Sequence, residues 1–246
     1  MAVGAVTPRP SAPLHRVRRI VTSRSGGVSL APFDSFNLGG KLDDPSAIAA
    51  NRARLASAAG LPVSRFAWMQ QVHGTTVVTI DEPSRLLGTD GLVTTRSDLA
   101  LAVLAADCVP ILAADPVAGV IGAAHAGRRG AAGGIITQLL AAMTAAGAEP
   151  ARLDVLLGPA ICGRCYEVPA GMRAQVEQLL PGSACETSAG TTGLDLRAGI
   201  AGQLIRAGVA AVAVDPRCTR EDPELFSRRR SARTGRQAAA IWMPSR

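Results

Sequence analysis

The stretch "LALAVLAADCVPILAADPVAGVIGAAHAG", residues 99–127, decides the fold. A strand with one face in water alternates polar and apolar side chains, whereas this stretch is almost continuously aliphatic between its turn residues. Its two strand candidates, 99–115 and 118–127, together with "DGLVTT" at 90–95, are therefore expected to be buried on both faces. One feature breaks the apolar run: Asp107 and Cys108 stand at the centre of the first candidate. In a regular strand successive side chains point to opposite faces. Asp107 is then expected to hold a neighbouring loop or an arginine, while Cys108 is free to serve a site.

Outward from that stretch, strand and helix signals intermix. "RIVTSRSGGVSLAPFDSFNLG" (19–39) reads as a short strand and a Gly/Pro-broken loop. "DPSAIAANRARLASAAGL" (44–61) has an Asp-Pro start, apolar spacing of three and four and a Gly stop, which predicts a helix over 47–59. "FAWMQQVHGTTVVTI" (66–80) has strand character around a Val-His-Gly break. Further helices are expected from about Gly134, over 169–180, and over 195–209 with Asp195 as N-cap. Strands are expected at 153–161, 210–216 and 237–243. Neither a tandem repeat nor a long linker interrupts this order, so the chain reads as a single α/β domain with mixed strands over 19–246, preceded by a basic, disordered tail over 1–18.

Composition narrows the function classes. Hydrophobic residues make up 48% of the 246 positions but aromatics only 3%, so the core must be closely packed Ala, Val, Leu and Ile. The formal charge of +7 is concentrated at the ends: the first 24 residues hold five Arg and no acid, and residues 217–246 hold eight Arg against three acids. The 192 residues between are net −3. A nucleic-acid groove interleaves basic with aromatic residues, and seven aromatics in all argue against one. No uninterrupted run of about 18 apolar residues suggests a membrane span, and the N-terminal segment lacks a secretory apolar core. The expectation is a cytoplasmic protein without nucleic-acid or membrane partners. Its five cysteines, an odd number, read as reduced thiols or metal ligands rather than a disulfide framework.

Two of the three histidines, His73 in "QQVHGTT" and His125 in "GAAHAGRRG", sit at strand ends beside small residues. With Cys108 they make a His, Cys, His set of the donor types zinc prefers, and three protein ligands leave a fourth position open. The same residue types also suit a cysteine nucleophile with a histidine base. "HAGRRGAAGG" adds glycine amides, a helix start and two arginines able to grip an anion, Arg129 or Arg128. "CGRC" (162–165) has C-x-x-C spacing, but Cys185 and Cys218 stand alone, so it reads as a turn with two ordinary thiols. "RRRSARTGR" (228–236) is a solvated basic loop unless something anionic binds there.

In their order, the strings "GGVS…PFDSFNLG", "DDP…NR", "QVHG", "DGLVT", "ADCVPIL", "AHAG-R-G", "GPAI…CYEV" and "FSRRRSARTGRQAAAIWM" resemble the laccase-domain, or multicopper polyphenol oxidase-like, family, also described as purine nucleoside phosphorylases of the YfiH/FAMIN type. The resemblance implies a four-layer α/β/β/α fold with mixed sheets. It implies His73, Cys108 and His125 as catalytic residues and ligands of zinc, with copper as the other candidate metal. It also implies phosphorolysis of adenosine, inosine, guanosine and methylthioadenosine, with inorganic phosphate as co-substrate, and deamination of adenosine in the same site. Candidates for holding substrate or phosphate are Arg52, Arg129, the arginines of the C-terminal string, with Arg229 and Arg230 among them, and Asn37. The chain departs from the family pattern at Arg128, where a Trp is common, at "GKLDD" (40–44), and at Arg228 and Ser231, where Tyr and Asp are common. A copper-dependent phenol oxidase and a Cys/His amidase acting on a cell-wall precursor remain the alternatives.

Overall fold

The computed structural model describes residues 14–40, 42–83 and 86–245. Of the expected tail, residues 1–13 lie outside the described residues, while the His15 amide donates to Pro116 O at 2.8 Å and Arg18 already belongs to the first strand. In chain order the first elements are β1 (Arg18–Val21), α1 (Pro45–Ala59), β2 (Phe66–Gln70), β3 (Val77–Thr79), β4 (Leu86–Leu87), β5 (Gly91–Thr94), β6 (Ala100–Ala105), β7 (Val109–Asp115) and β8 (Val120–Ala126). There follow α2 (Arg128–Gly133), α3 (Ile135–Ala145), β9 (Asp154–Leu157), α4 (Ala170–Leu179), β10 (Ala184–Glu186), β11 (Thr192–Leu194), α5 (Leu196–Arg206), β12 (Ala211–Val214) and β13 (Gln237–Trp242).

Two mixed sheets carry the domain, in the orders β1-β13-β6-β2-β4 and β12-β9-β7-β8-β5-β3, and β10 and β11 form a small separate hairpin. Their inner faces meet in one apolar cluster that includes Leu101, Val103 and Ile241 from the first sheet and Leu92, Leu112 and Ile121 from the second. The outer face of the first sheet, with Ala100, Ala102 and Ala240, packs against Leu55 and Ala56 of α1. The outer face of the second packs against Ile136 and Leu139 of α3 and Ile200 and Leu204 of α5. The layers are thus α/β/β/α, and every residue of β7 and β8 is buried. That double burial is why these strands show no alternation. Small residues make the close packing feasible: a Cβ on Gly122 of β8 would lie 2.8 Å from Met143 Sδ and 3.0 Å from a Leu139 methyl on α3.

Local signals act as their chemistry dictates. Asp44 caps α1 by accepting from the Ser46 amide at 2.9 Å, and Gly60 closes that helix in the left-handed region. Asp195 caps α5 by accepting from the Ala198 amide at 3.1 Å. One expectation is corrected: 99–115 is not a single strand. The chain leaves the first sheet after β6, turns through residues 106–108, and joins the second sheet as β7. Asp107 sits at φ +96 in that turn. Such a backbone is unfavourable for a residue with a side chain unless its surroundings hold it. Its carboxylate is held by Thr219 Oγ1 at 2.7 Å and by the Arg229 amide at 2.7 Å. Asp107 therefore does pin a loop, from a turn rather than from a strand face. Among the described residues no helix is long and apolar enough to cross a membrane.

At the far end of β7 the buried Asp115 carboxylate accepts from the amides of Val117, Ala118 and Glu149 and from Arg152 Nε, all at 2.9–3.0 Å. Burial alone would raise its pKa, but these donors outweigh burial and hold it below the ordinary value. A carboxylate with a lowered folded pKa contributes stability that is present above its unfolded pKa and lost as pH falls through the folded one. Asp115→Ala should therefore cost about 1.5–3 kcal/mol near neutrality. Denaturant melts should show that deficit narrowing as both proteins are taken into acid.

Candidate metal centre

Three times the chain passes from the first sheet to the second, in residues 71–76 between β2 and β3, 88–90 between β4 and β5, and 106–108 between β6 and β7. The first crossing carries His73, the second Asp90 and the third Cys108. The last strand residues of β8 supply His125, and the antiparallel register that pairs Pro110 with His125 brings it beside the start of β7. The Gln71 side chain ties the first crossing to β6 just before the third: its amide donates to Leu104 O at 2.7 Å and accepts from Leu104 N at 2.8 Å.

Asp90, fully buried, organises the group. Its Oδ2 accepts from the amides of Val72 at 3.1 Å and Gly74 at 2.8 Å, and its Oδ1 accepts from the His73 amide at 3.0 Å. Three successive amides converge because His73 adopts φ +61, which folds the backbone into an anion-binding concavity. Oδ1 also lies 2.8 Å from His125 Nδ1, and Asp90 O accepts from the His125 amide at 2.8 Å. With Nδ1 bonded to a carboxylate, Nε2 is the ring nitrogen left to bind a metal, the carboxylate–histidine arrangement common behind metal ligands.

Around that anchor, Cys108 Sγ lies 3.6 Å from His73 Nε2, and the two imidazoles meet edge to face with centroids 4.8 Å apart. The donor atoms of His73, Cys108 and His125 all lie within 4.8 Å of one another. His125 is buried, Cys108 half-buried and His73 exposed. Burial would push the Cys108 thiol up, but hydrogen bonds and charges from His125 and His73 outweigh it and bring the thiol to about 6. Burial would likewise lower His125, yet Asp90 and Cys108 raise it to about 9. Without an ion the pair is a thiolate beside an imidazolium at neutral pH, and a metal would take the place of the shared proton. Two imidazoles and a thiolate, one imidazole braced by a carboxylate, fit zinc with one position open. Gly127 leaves the space: a Cβ there would lie 2.4 Å from His73 Cδ2 and 3.1 Å from Cys108 Sγ.

Above the centre opens a cavity of about 470 Å³ whose lining includes Gln71, Tyr166, Arg128, Arg228, Arg229 and Arg236. The Arg229 guanidinium lies 4.8 Å from the Tyr166 ring centroid. Of the arginines expected to hold substrate or phosphate, Arg229 and, from the same C-terminal string, Arg228 and Arg236 reach this lining. Arg129 is exposed, outside the lining, and reaches Val72 O at 3.3 Å; its neighbour Arg128 faces the cavity. The Arg52 guanidinium is engaged elsewhere, donating to Leu38 O at 2.9 Å and stacking 3.9 Å above Trp68, and burial lowers its pKa to about 10. Arg230 is spent on backbone carbonyls, including Thr219 O at 2.8 Å and Asp222 O at 2.9 Å. Asn37 is buried, donating to Asp43 Oδ2 at 2.8 Å and accepting from the Arg236 amide at 2.8 Å. Arg52, Arg230 and Asn37 are thus engaged within the scaffold. Asp90, although it opens "DGLVT", and Gln71 and Tyr166 were not among the residues expected from the sequence. Arg128 was expected, with Arg129, as a group able to grip an anion, and Arg228, a departure from the family pattern, lies in the C-terminal string.

The family model described as "Multi-copper polyphenol oxidoreductase laccase" matches residues 18–244. The chain belongs to this family. It is similar to a Mycobacterium tuberculosis protein named purine nucleoside phosphorylase, 57% identical over 231 residues that cover 93% of this chain and 92% of the relative. A Corynebacterium glutamicum protein of the same name is 51% identical over 93% of this chain and 95% of its own. Among solved structures, YlmD from Geobacillus stearothermophilus superposes with a TM-score of 0.87 at 34% identity, covering 93% of this chain and 92% of that one. A Neisseria meningitidis protein superposes with a TM-score of 0.85 at 33% identity, covering 98% and 99%.

If Asp90 orients His125, Asp90→Asn should weaken zinc binding about 10–100-fold in a competition titration. Gly127→Ala should displace His73 or Cys108 and lower zinc affinity while far-ultraviolet circular dichroism stays native. Unchanged affinity in both variants would remove Asp90 and Gly127 from the centre.

Proposed function

We propose that the protein is a zinc-dependent purine nucleoside phosphorylase that also deaminates adenosine. The observation that carries this reading is the ring of Arg128, Arg228, Arg229 and Arg236 around a cavity whose floor is the His73, Cys108 and His125 set. A volume of about 470 Å³ suits a small organic molecule, and four guanidinium groups suit a phosphate beside it. The name shared by the mycobacterial and corynebacterial relatives supports the same assignment.

In this reading the arginines bind inorganic phosphate, offset its charge and hold one oxygen in line with C1′ of the ribose. The new C1′–O bond forms as the C1′–N9 bond breaks, and the bonding pair leaves with the purine, which takes up a proton. The products are the free base and ribose 1-phosphate. Tyr166, with Arg229 on its ring, supplies an apolar wall against which a base can lie. His73, Cys108 and His125 would hold zinc, which supplies a water of lowered pKa for hydrolysis at C6 of adenine. Adenosine, inosine, guanosine and methylthioadenosine are the proposed substrates, and the cytoplasmic location expected from the sequence suits these metabolites.

Chromatography of products after incubation of zinc-loaded protein with adenosine tests this directly. Adenine and ribose 1-phosphate should form only with phosphate present, inosine should form without it, and Cys108→Ala should abolish both while the fold persists. Oxygen uptake with a phenol and copper, or amide hydrolysis that survives chelation, would instead favour the alternative activities. Arg128→Met and Arg228→Met should each raise the KM for phosphate about tenfold, the loss expected of one charge-assisted hydrogen bond. An unchanged phosphate KM in both would move the phosphate elsewhere.

A further inference from the structure

The C-x-x-C turn is not isolated. Cys218, far away in sequence, joins Cys162 and Cys165, and Glu221 completes a group whose donor atoms all lie within 4.8 Å of one another. We propose that Cys162, Cys165, Cys218 and Glu221 form a second metal site, a structural zinc centre that fastens two cavity-forming loops together.

The group is built from two matching turns. In the first, the Cys165 and Tyr166 amides both donate to Cys162 O at 3.0 Å; in the second, the Glu221 and Asp222 amides donate to Cys218 O at 3.2 and 2.8 Å. Each turn brings the side chains of positions i and i+3 to one side, as C-x-x-C and C-x-x-E. A parallel bridge between Ala160 and Cys218 joins the two, with the Thr219 amide donating to Ala160 O at 3.1 Å. The Cys162 amide also points at Cys218 Sγ, 3.4 Å away, an arrangement that suits a thiolate.

Three thiols and a carboxylate form a donor set that favours zinc over magnesium or calcium. Four donors about 2.3 Å from a tetrahedral ion lie about 3.7 Å apart, so the observed spacing needs only a small contraction. Without an ion the Cys165 thiol donates to Glu221 Oε1 at 3.4 Å, and a divalent cation would take the place of that proton between sulfur and carboxylate. The Arg164 guanidinium, 3.1 Å from Glu221, balances part of the remaining charge. Four protein ligands leave no open position, which marks a structural centre rather than a catalytic one.

Its place in the fold gives it a task. The first turn runs directly into Tyr166, and Ile161 beside it also lines the cavity. The second turn contains Thr219, which holds Asp107, the carboxylate that also receives the Arg229 amide. Fastening the two turns sets the separation of the wall bearing Tyr166 from the wall bearing Arg229.

The test is metal content of the full chain, loaded with zinc under a phosphine reductant and then desalted. Wild type should hold two zinc ions, and Cys108→Ala and the Cys162→Ser/Cys218→Ser pair one each. The combined triple variant should hold none. Cobalt bound to Cys108→Ala should show thiolate charge-transfer absorption, and zinc should raise the thermal midpoint of Cys108→Ala but not of the triple variant. A Cys108→Ala protein that is folded by circular dichroism yet binds neither zinc nor cobalt overturns the proposal. So does a triple variant that keeps the zinc of Cys108→Ala.

Discussion

The site depends on one buried carboxylate. Asp90 has no water to share its charge, and its hydrogen bonds to three successive amides and one imidazole replace that solvation. Each of those bonds also positions something. The amides force the His73 backbone into its left-handed turn, which aims the His73 ring; the imidazole bond fixes which nitrogen of His125 faces Cys108. Charge burial and site geometry are thus a single requirement, and Asp90 cannot be optimised for one without the other.

The electrostatic layout above the centre follows a similar economy. Cys108 on the cavity floor and Asp90 buried behind it place negative charge there, and Arg128 at the start of α2 and Arg228, Arg229 and Arg236 from the loop before β13 ring the opening. Arg236 is half-buried, and desolvation lowers its pKa while the thiolate below draws it back up. The basic string 228–236 divides accordingly: Arg230 braces the loop through carbonyl groups, and its neighbours are released to face the cavity.

What could be read from the sequence was whatever local chemistry announces. Double burial of β7 and β8 and the caps of Asp44 and Asp195 follow from residue type and spacing, whereas His73, Cys108 and His125 were legible by residue type alone and only the family resemblance joined them as ligands. What could not be read depends on direction or on distant pairing. Arg128 and Arg129 are adjacent, and only the path of α2 decides which one faces the cavity. Arg52, Arg230 and Asn37 carry suitable groups, but each is satisfied internally, which a linear string cannot reveal. The division of 99–115 between two sheets turns on Asp107, and its partners Thr219 and Arg229 lie more than a hundred residues away. Cys218 stood alone in the sequence for the same reason.

The three sheet crossings have a mechanical meaning. His73, Asp90 and Cys108 all sit on the segments that join one sheet to the other, while His125 rides on the second sheet alone. Any sliding of the sheets across their shared apolar interface would therefore be felt first in the links, as a change of distance between donors. The candidate centre is in this sense a strain gauge for the sandwich. Its donor spacing depends on the packing of Leu101, Leu112 and Ile121 between the sheets as well as on His73, Cys108 and His125 themselves.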